Sequence, residues 1–249
     1  MPPVSPKELI EFIEGRIPEF HEKRLGKLQE LRLSDVLKRK NPYLFRAKAI
    51  DTAEELVKSI LDAFLSSQEE AIFGDFLEEL ARFVCVRAFG GAKSAAEGID
   101  LEFVRNGTRY LVSVKSGPNW GNSQQITRMR DAFKKARKIL ERDKALPIAA
   151  VNGCCYGHDS SPHKGDYEKL CGQPFWELVS GDPDLYLKII EPLGHVARET
   201  SDEFESEYGR VVRRFTEEFK AAYCNAQGQI DWECLVRFNS AQTQDRSRS

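Results

Sequence analysis

The sequence predicts an α/β fold: a mixed central sheet flanked by helices, with further helices at the N- and C-terminal ends. Apolar residues recur at helical spacing between residues 6 and 88 and alternate with polar residues between 99 and 115. Helical spacing returns from residue 123, and a short apolar run follows at 146–151. Because this order is helix, strand, strand, helix, strand, we expect the strands to share one sheet covered by helices.

The composition is that of a globular protein without a strong charge bias. The 249 residues are 41% hydrophobic and 31% charged, with 37 basic against 39 acidic side chains. This balance argues mildly against a nucleic-acid ligand, although attraction to phosphate depends on where the charges lie. No apolar run approaches the roughly 18 residues of a transmembrane segment, and the N-terminus does not resemble a secretion signal. We therefore expect a cytoplasmic protein.

Residues 1–66 are expected to form a helical N-terminal region. Ser5 and Glu8 have the spacing of a capping box, which indicates that the first helix begins there. A basic patch, residues 38–48, interrupts the helices, and another helix is predicted over residues 51–66.

The next helix, predicted over residues 68–88, has the most pronounced apolar stripe in the first half of the chain. The stripe has helical spacing and is formed by Ile72, Phe73, Phe76, Leu77, Leu80, Phe83 and Val84. A stripe of this width is typical of a helix that packs against a sheet.

A hairpin of two strands is predicted after this helix. Asn106 and Gly107 form the dipeptide that most strongly favours a two-residue turn, because both residues tolerate positive φ angles. Such a turn pairs Asp100 with Ser113 and places Lys115 diagonal to Asp100. The Asp100 carboxylate and the Lys115 amine are therefore expected to converge.

The two faces of the hairpin differ in polarity. The apolar face is expected to pack on the core and contains Ile99, Leu101, Phe103, Tyr110, Val112 and Val114. The polar face carries Asp100, Glu102, Ser113 and Lys115. Carboxylates bind hard cations such as Mg²⁺, which polarise a phosphate and activate water, and a lysine stabilises developing charge. The pattern suits phosphodiester hydrolysis, but from spacing alone a solvated face with a cross-strand ion pair is the more common case.

The remaining chain predicts a helix, a third strand and a helical C-terminal region. Helical spacing covers residues 123–143, and the strand covers 146–151. Residues 152–172 are rich in Gly, Ser, Asp and Cys and predict an ordered loop. Two short helices should follow, then a long amphipathic helix over 195–224, and the polar residues 240–249 are expected to be disordered.

Several stretches of the sequence are similar to motifs of a known enzyme family. Residues 98–103 read Gly-Ile-Asp-Leu-Glu-Phe, and residues 110–123 contain the specific run Lys-Ser-Gly-Pro-Asn-Trp-Gly-Asn. They resemble type II restriction endonucleases of the PD-(D/E)xK superfamily. The resemblance extends over roughly residues 67–195, through similar runs at 67–78, 152–157, 172–176 and 190–194.

The resemblance implies a restriction-endonuclease-like fold and a Mg²⁺-dependent nuclease. Asp100 matches the metal-binding aspartate of the superfamily, and Lys115 matches its lysine. Ser113, however, stands where the superfamily usually has a second acidic residue, and a hydroxyl is a poor Mg²⁺ ligand.

The second carboxylate is therefore expected elsewhere in the chain. Glu102 lies on the same face of the hairpin, Asp131 on the following helix, and Glu78 or Glu70 on the preceding helix. Glu78 follows Gly74 at the Gly-x-x-x-Glu spacing that the superfamily often shows in its first core helix. Metal-ligand candidates are thus Asp100, Glu78 and Glu102, and each glutamate has the alternative of being a solvated side chain.

The loop after the hairpin is expected to contact DNA. Its polar side chains and the start of the next helix suit phosphates and base edges: Asn119, Trp120, Asn122, Ser123 and Gln124. The alternative is a turn held by its own side chains, with Trp120 packed inside it.

Cysteines and histidines accumulate in the predicted loop that follows the third strand. They are Cys154, Cys155, His158, His163 and Cys171. Their spacings are irregular for a zinc site, and adjacent cysteines on an extended strand point to opposite sides. A loop packed beside the active site is the preferred interpretation, with zinc as the alternative.

The resemblance predicts hydrolysis of double-stranded DNA at a specific short site by a homodimer, with a DNA methyltransferase as genetic partner. A repair or defence nuclease without tight specificity and an inactive DNA-binding module are the alternatives. The expected regions are a helical N-terminal part, a nuclease core, a helical C-terminal part packed on it, and a tail: residues 1–66, 67–195, 196–239 and 240–249.

Overall fold

The structure, a computed structural model, describes residues 4–140 and 146–242, without the side chains of residues 196–201. In chain order its elements are α1 (Pro6–Glu30), α2 (Leu33–Lys38), α3 (Pro42–Ala47), α4 (Ala53–Phe89), β1 (Leu101–Arg105), β2 (Thr108–Lys115), α5 (Ser123–Leu140), β3 (Ile148–Cys154), β4 (Glu168–Cys171), α6 (Gln173–Ser180), α7 (Leu185–Lys188), α8 (Ile190–Tyr223) and α9 (Trp232–Ser240).

The four strands form one mixed sheet in the order β1-β2-β3-β4. Strands β1 and β2 are antiparallel, whereas β2, β3 and β4 run parallel to one another. Helices precede and follow the sheet in the chain. The predicted fold class, a mixed sheet flanked by helices with helical additions at both ends, is confirmed.

Helices cover both faces of the sheet. On one face, apolar side chains of β1 and β2 pack with α4 and α6 in a core that includes Leu80, Val84, Leu101, Phe103, Val112, Val114, Phe175 and Val179. On the other face, α5 packs on the sheet through Met129, Phe133 and Ala136, against Leu111 and Ala150. Because Leu111 packs against α5 and side chains alternate along a strand, Ser113 and Lys115 project on this same face.

The described chain forms two compact units, each with an apolar core of its own. One comprises the described parts of residues 1–20 and 71–198, and it contains the sheet. The other comprises those of residues 21–70 and 199–249, and its core includes Leu28, Leu56, Leu61, Phe215, Phe219 and Leu235. The predicted boundaries after residues 66, 195 and 239 stay a prediction.

The helices before the sheet differ from the prediction in one respect. Ser5 and Glu8 form the predicted capping box: the Glu8 N–H donates to the Ser5 hydroxyl at 3.3 Å, and the Glu8 carboxylate accepts from the Ser5 N–H at 3.2 Å. The predicted break between residues 66 and 68 was wrong, because α4 continues from Ala53 to Phe89. Residues 66–68 are Ser, Ser and Gln, so no Pro or Gly interrupts the helix at the predicted break.

The strands differ from the prediction at three places. Strand β3 continues through Asn152 to Cys154, and β4 pairs with it, so the predicted loop over residues 152–172 is partly sheet. Ile99 was placed on the wrong face: it packs in the core beneath α5. The reason is local, since the Asp100 N–H bonds the Val112 carbonyl at 2.9 Å and regular pairing begins only at Leu101.

The C-terminal helices agree with the prediction apart from their limits and one addition. The two short helices are α6 and α7, and the long amphipathic helix is α8, which begins five residues earlier than predicted. Helix α9 was not predicted, and it ends at Ser240, inside the predicted disordered tail. Residues 243–249 of that tail, and residues 141–143 of the predicted fifth helix, lie outside the described residues. Among the described helices, none is both long and apolar enough to span a bilayer.

Candidate active site

The site is built on the β1–β2 hairpin, whose turn follows from two residues. Asn106 and Gly107 have φ angles of 49° and 73°, the left-handed values that a two-residue hairpin turn requires. The turn fixes the pairing of the strands as predicted, with partners Arg105–Thr108, Phe103–Tyr110 and Glu102–Leu111.

Asp100 lies immediately before β1, and its carboxylate is directed to the end of β2. Its Oδ2 accepts the Val114 N–H at 2.7 Å and the Ser113 hydroxyl at 3.3 Å. Among the residues that the structure describes, no donor is hydrogen-bonded to Oδ1. One carboxylate oxygen thus holds the side chain in place while the other remains available to a further ligand.

Lys115, the last residue of β2, converges on Asp100 as the hairpin register predicts. Its Nζ lies 3.7 Å from Oδ2 of Asp100 and donates to the Val114 carbonyl at 2.8 Å. It also lies 5.3 Å from the ring centre of Trp120. The side chains of Asp100 and Lys115 are 20% and 29% exposed, so solvent can reach the pair.

Helix α4 brings a second carboxylate, Glu78, to this pair. One helical turn before it, Gly74 passes so close to Ser116 that a Cβ on the glycine would lie 3.5 Å from the Ser116 Cβ. Burial raises the pKa of Glu78, the Asp100 carboxylate raises it further, and Lys115 opposes the shift. Glu78, Asp100 and Lys115 therefore form one electrostatic cluster, which joins the first core helix to the hairpin.

Two carboxylates in one half-buried place repel each other, and a divalent cation between them would relieve that repulsion. Oxygen ligands from one or two carboxylates, completed by waters, are what Mg²⁺ prefers in proteins. The donor set of Asp100 and Glu78 fits such an ion.

Ser113 and Asn152 are buried polar residues that position Asp100 through hydrogen bonds. Ser113 is 3% exposed and donates to Asp100, so the hydroxyl positions the carboxylate at the point where a second acid was expected. Asn152, the partner of Ser113 on β3, is 1% exposed. Its amide group donates to the Ser113 carbonyl at 3.3 Å and accepts the Trp120 indole N–H at 3.1 Å. This role of Asn152 was not predicted, although a polar residue after the apolar run 146–151 was a usable indication.

Comparison with known proteins decides the family. The sequence matches the family model of the type II restriction endonuclease EcoO109I over residues 7–201, which is more than half of the chain. The chain belongs to this family. It is thus a restriction endonuclease of the PD-(D/E)xK type, a class of nucleases that act on DNA, as the resemblance predicted. A search of curated proteins finds no match.

The other acidic candidates of this restriction endonuclease are exposed or have partners of their own, and Asp131 lines the same cavity as Lys115. Glu102 forms an ion pair with Arg109 at 3.0 Å, and its second oxygen accepts the Ser94 hydroxyl at 2.9 Å. Asp131 on α5 is exposed, and Glu70 is an exposed residue of the second compact unit. Asp100 and Lys115 both act on the pKa of Glu78, which indicates that its carboxylate lies near this pair. Their roles as ligands stay predictions.

The loop between β2 and α5 contains both kinds of side chain that the sequence allowed. Asn122 and Gln125 exchange hydrogen bonds, each side chain accepting the other's backbone N–H at 3.1 and 3.0 Å, and so cap α5. Trp120 packs beneath α5 and bonds to Asn152. Asn119, Ser123 and Gln124 are exposed. Two of the five predicted DNA contacts therefore have a structural function, and three are open to a ligand.

A cavity of about 620 Å³ extends from the site along α5. Its lining includes Ser113, Lys115 and Trp120 of the site and Arg128 and Lys135 of α5. Among the described residues, Arg128 has no carboxylate within ion-pair distance, whereas Arg130 two positions along pairs with Asp166 at 2.9 Å. The cavity therefore contains Lys115 together with an arginine that is free to meet an anionic ligand, beside the acidic Glu97 and Asp131.

The cysteines and histidines after β3 do not gather into a set of metal ligands. In the part of the chain that the structure describes, no three His, Cys, Asp or Glu residues are placed to hold an ion. Cys154 is the register partner of Cys171, and burial raises its pKa to about 12, whereas Cys155 packs in the core that contains α4. His158 is exposed, and His163 bonds to Glu168 at 2.6 Å.

Proposed function

We propose that this chain is a site-specific type II restriction endonuclease that hydrolyses phosphodiester bonds of double-stranded DNA with bound Mg²⁺. One observation carries the proposal: the Lys115 amine lies 3.7 Å from the Asp100 carboxylate, and both charges act on the half-buried Glu78 of α4. Carboxylates beside an amine suit phosphodiester hydrolysis, because the reaction needs positive charge on a phosphate and an oriented water.

Asp100 and Glu78 would hold the ion, with Glu102 as the alternative second ligand. A bound Mg²⁺ supplies positive charge to the phosphate and lowers the pKa of the attacking water. Asp100 is kept in position by the Val114 N–H and the Ser113 hydroxyl at its Oδ2, which leaves Oδ1 for the ion.

Lys115 would stabilise the charge that develops on the phosphate or orient the water. Its amine has one backbone acceptor and one carboxylate nearby, and a phosphate oxygen can take the place of either. The indole of Trp120 limits where the amine can move. The hydrogen bond from the Trp120 indole to Asn152 on β3 fixes the position of this ring relative to the sheet.

DNA would lie across the exposed part of the loop and the start of α5. Asn119, Ser123 and Gln124 are available for phosphates or base edges. Arg128 would hold a phosphate next to the one that is cut, because it lines the same cavity as Lys115. Two-fold symmetry of a homodimer would match a palindromic site, and a methyltransferase of the same specificity would be its genetic partner.

An inactive DNA-binding module is the second candidate, and Ser113 is the observation that favours it. A hydroxyl stands in the place of one acidic ligand, so the site depends on a carboxylate from another element. A nuclease without tight sequence specificity remains the third interpretation of the same residues.

Incubation of plasmid DNA with the full chain and Mg²⁺ separates these functions. Discrete fragments are expected, and a chelator should abolish them. A smear would indicate cleavage without specificity. Intact DNA, shifted in a gel by the protein at every Mg²⁺ concentration, would contradict the nuclease and leave the binding module.

A further inference from the structure

The second compact unit carries a dense group of positive charges in a chain that is close to neutral overall. Residues 36–50 contain five cations and no acidic residue, although the whole chain has 37 basic and 39 acidic side chains. The five are Lys38, Arg39, Lys40, Arg46 and Lys48. We call residues 38–48 the basic segment.

The charges of the basic segment are not neutralised within the protein. The ion pairs of this unit involve other cations, such as Lys58 with Glu54 at 2.7 Å and Lys220 with Glu217 at 3.0 Å. Among the described residues, none of the five cations lies within ion-pair distance of a carboxylate. Four of the five are exposed, and Lys40, which is partly buried, donates to a backbone carbonyl, that of Ala63, at 2.6 Å.

Aromatic rings lie near these side chains and do not cancel their charge. Each cation lies between 5.4 and 6.0 Å from a ring centre. The pairs are Lys38 with Phe238, Arg39 and Lys40 with Phe64, Arg46 with Trp232, and Lys48 with Phe45. A ring face attracts a cation weakly and leaves its charge available, so the side chains lose little freedom when an anion binds.

The backbone of the basic segment is fixed as well. The Asn239 side chain on α9 donates to the Leu37 carbonyl at 2.8 Å and to the Lys40 carbonyl at 3.2 Å. Asn41 caps α3 by accepting the Tyr43 N–H at 3.0 Å. Tyr43 itself is 62% exposed, and its hydroxyl adds a hydrogen-bond donor between the cations.

We propose that the basic segment binds the phosphate backbone of DNA without reading its sequence. Several unpaired cations with a tyrosine among them have the composition of a phosphate-binding surface, because Lys, Arg and Tyr side chains are common donors to phosphate oxygens. The proposal rests on the proposed function in one respect, namely that DNA is the substrate. It adds a phosphate-binding surface in a unit that does not contain the Asp100 cluster.

The test compares two triple variants of the full chain that lose the same number of charges. Lys38→Gln with Arg39→Gln and Lys48→Gln removes free cations. The control removes three paired cations of the same unit, Lys58→Gln with Lys220→Gln and Arg237→Gln. Binding to a linear duplex is measured in chelator, so that no cleavage occurs, over a series of salt concentrations.

The basic-segment variant should bind more weakly, and its dependence of log K on log salt should flatten by about 0.9 per lost phosphate contact, or about 2.7 for three. The control should keep the slope of the wild type. Equal slopes for wild type and the basic-segment variant, or equal losses in both variants, would overturn the proposal. A variant that keeps the charges, Lys38→Arg with Arg39→Lys and Lys48→Arg, should retain the wild-type slope. A flatter slope in this variant would also overturn the proposal.

The outcomes separate this proposal from the proposed function. A protein that cuts no DNA but whose binding depends on the basic segment loses the nuclease assignment alone. A protein that cuts DNA with an unchanged salt slope in the basic-segment variant loses the phosphate surface alone.

Discussion

The Ser113 hydroxyl donates to Oδ2 of Asp100 at 3.3 Å, so the residue that replaces an expected acid supports the acid that remains. The Val114 N–H bonds the same oxygen at 2.7 Å, and Asn152 fixes the Ser113 carbonyl from the neighbouring strand. Asp100 is therefore oriented by the hairpin and by β3 together. The second carboxylate comes from α4, which lies on the opposite face of the sheet from α5.

Ser113→Ala should slow cleavage without abolishing it. The substitution removes one hydrogen bond to Asp100, worth about 1 kcal/mol, and the Val114 N–H continues to hold the carboxylate. We expect kcat to fall by about 5-fold at saturating Mg²⁺. A loss as complete as that of Asp100→Ala would mean that the hydroxyl acts directly on the substrate or the ion.

Glu78→Gln should weaken the binding of Mg²⁺ and leave the fold intact. An amide oxygen is a weaker ligand than a carboxylate, so the half-saturating Mg²⁺ concentration should rise by at least the roughly 10-fold seen when a ligand's hydrogen-bond partner is lost. Glu79→Gln is the matched control, because its carboxylate lies 3.8 Å from Arg16 instead. Unchanged Mg²⁺ dependence in Glu78→Gln, with a changed dependence in Glu102→Gln, would assign the second ligand to Glu102.

The same carboxyl should influence stability in the metal-free protein. Burial and Asp100 raise the pKa of Glu78 above 4.5, so folding favours its protonated form. Its contribution to stability is fully present below the ordinary pKa and is lost as the pH rises through the raised value. In chelator, Glu78→Gln should therefore have a higher Tm than the wild type at neutral pH and the same Tm at acidic pH.

Added Mg²⁺ should reverse that order at neutral pH, because an ion that binds the folded wild type stabilises it. Thermal unfolding with and without Mg²⁺ makes the comparison. A Glu78→Gln variant that is less stable than the wild type in chelator would contradict the like-charge cluster.

Arg128→Ala should weaken DNA binding more than Arg130→Ala. Both arginines lie on α5, but Arg128 lines the cavity and is free of a carboxylate partner among the described residues, whereas Arg130 pairs with Asp166. Loss of one phosphate contact should reduce the salt slope of binding by about 0.9. Equal slopes for the two variants would indicate that no DNA phosphate contacts Arg128.

The parts of the site that the sequence predicted are those that local rules determine. Asn106 and Gly107 fix a two-residue turn, and the turn fixes the register that brings Lys115 to Asp100. The Gly-x-x-x-Glu spacing indicated Glu78 but left it among four candidates, because the approach of α4 to Ser116 is a contact between distant parts of the chain.

The features that the sequence did not predict depend on pairing between distant strands. Asn152 supports Ser113 only because β3 lies parallel to β2 in a register that sets the two residues side by side. Ile99 changes face because the N–H of Asp100 bonds one position out of the regular ladder. Neither feature produces a periodic pattern in the sequence. Each depends on which backbone group of another strand lies next to the residue.

The most direct test of the active-site assignment is cleavage of plasmid DNA by wild type, Asp100→Ala and Lys115→Ala in Mg²⁺, with circular dichroism and Tm as checks of folding. Both side chains are partly exposed and lie outside the apolar cores, so both variants should fold. Each should cut at least about 100-fold more slowly than the wild type, the cost typical of removing one charge-stabilising group from a preorganised site. Folded Asp100→Ala that cuts DNA at the rate of the wild type would contradict the assignment.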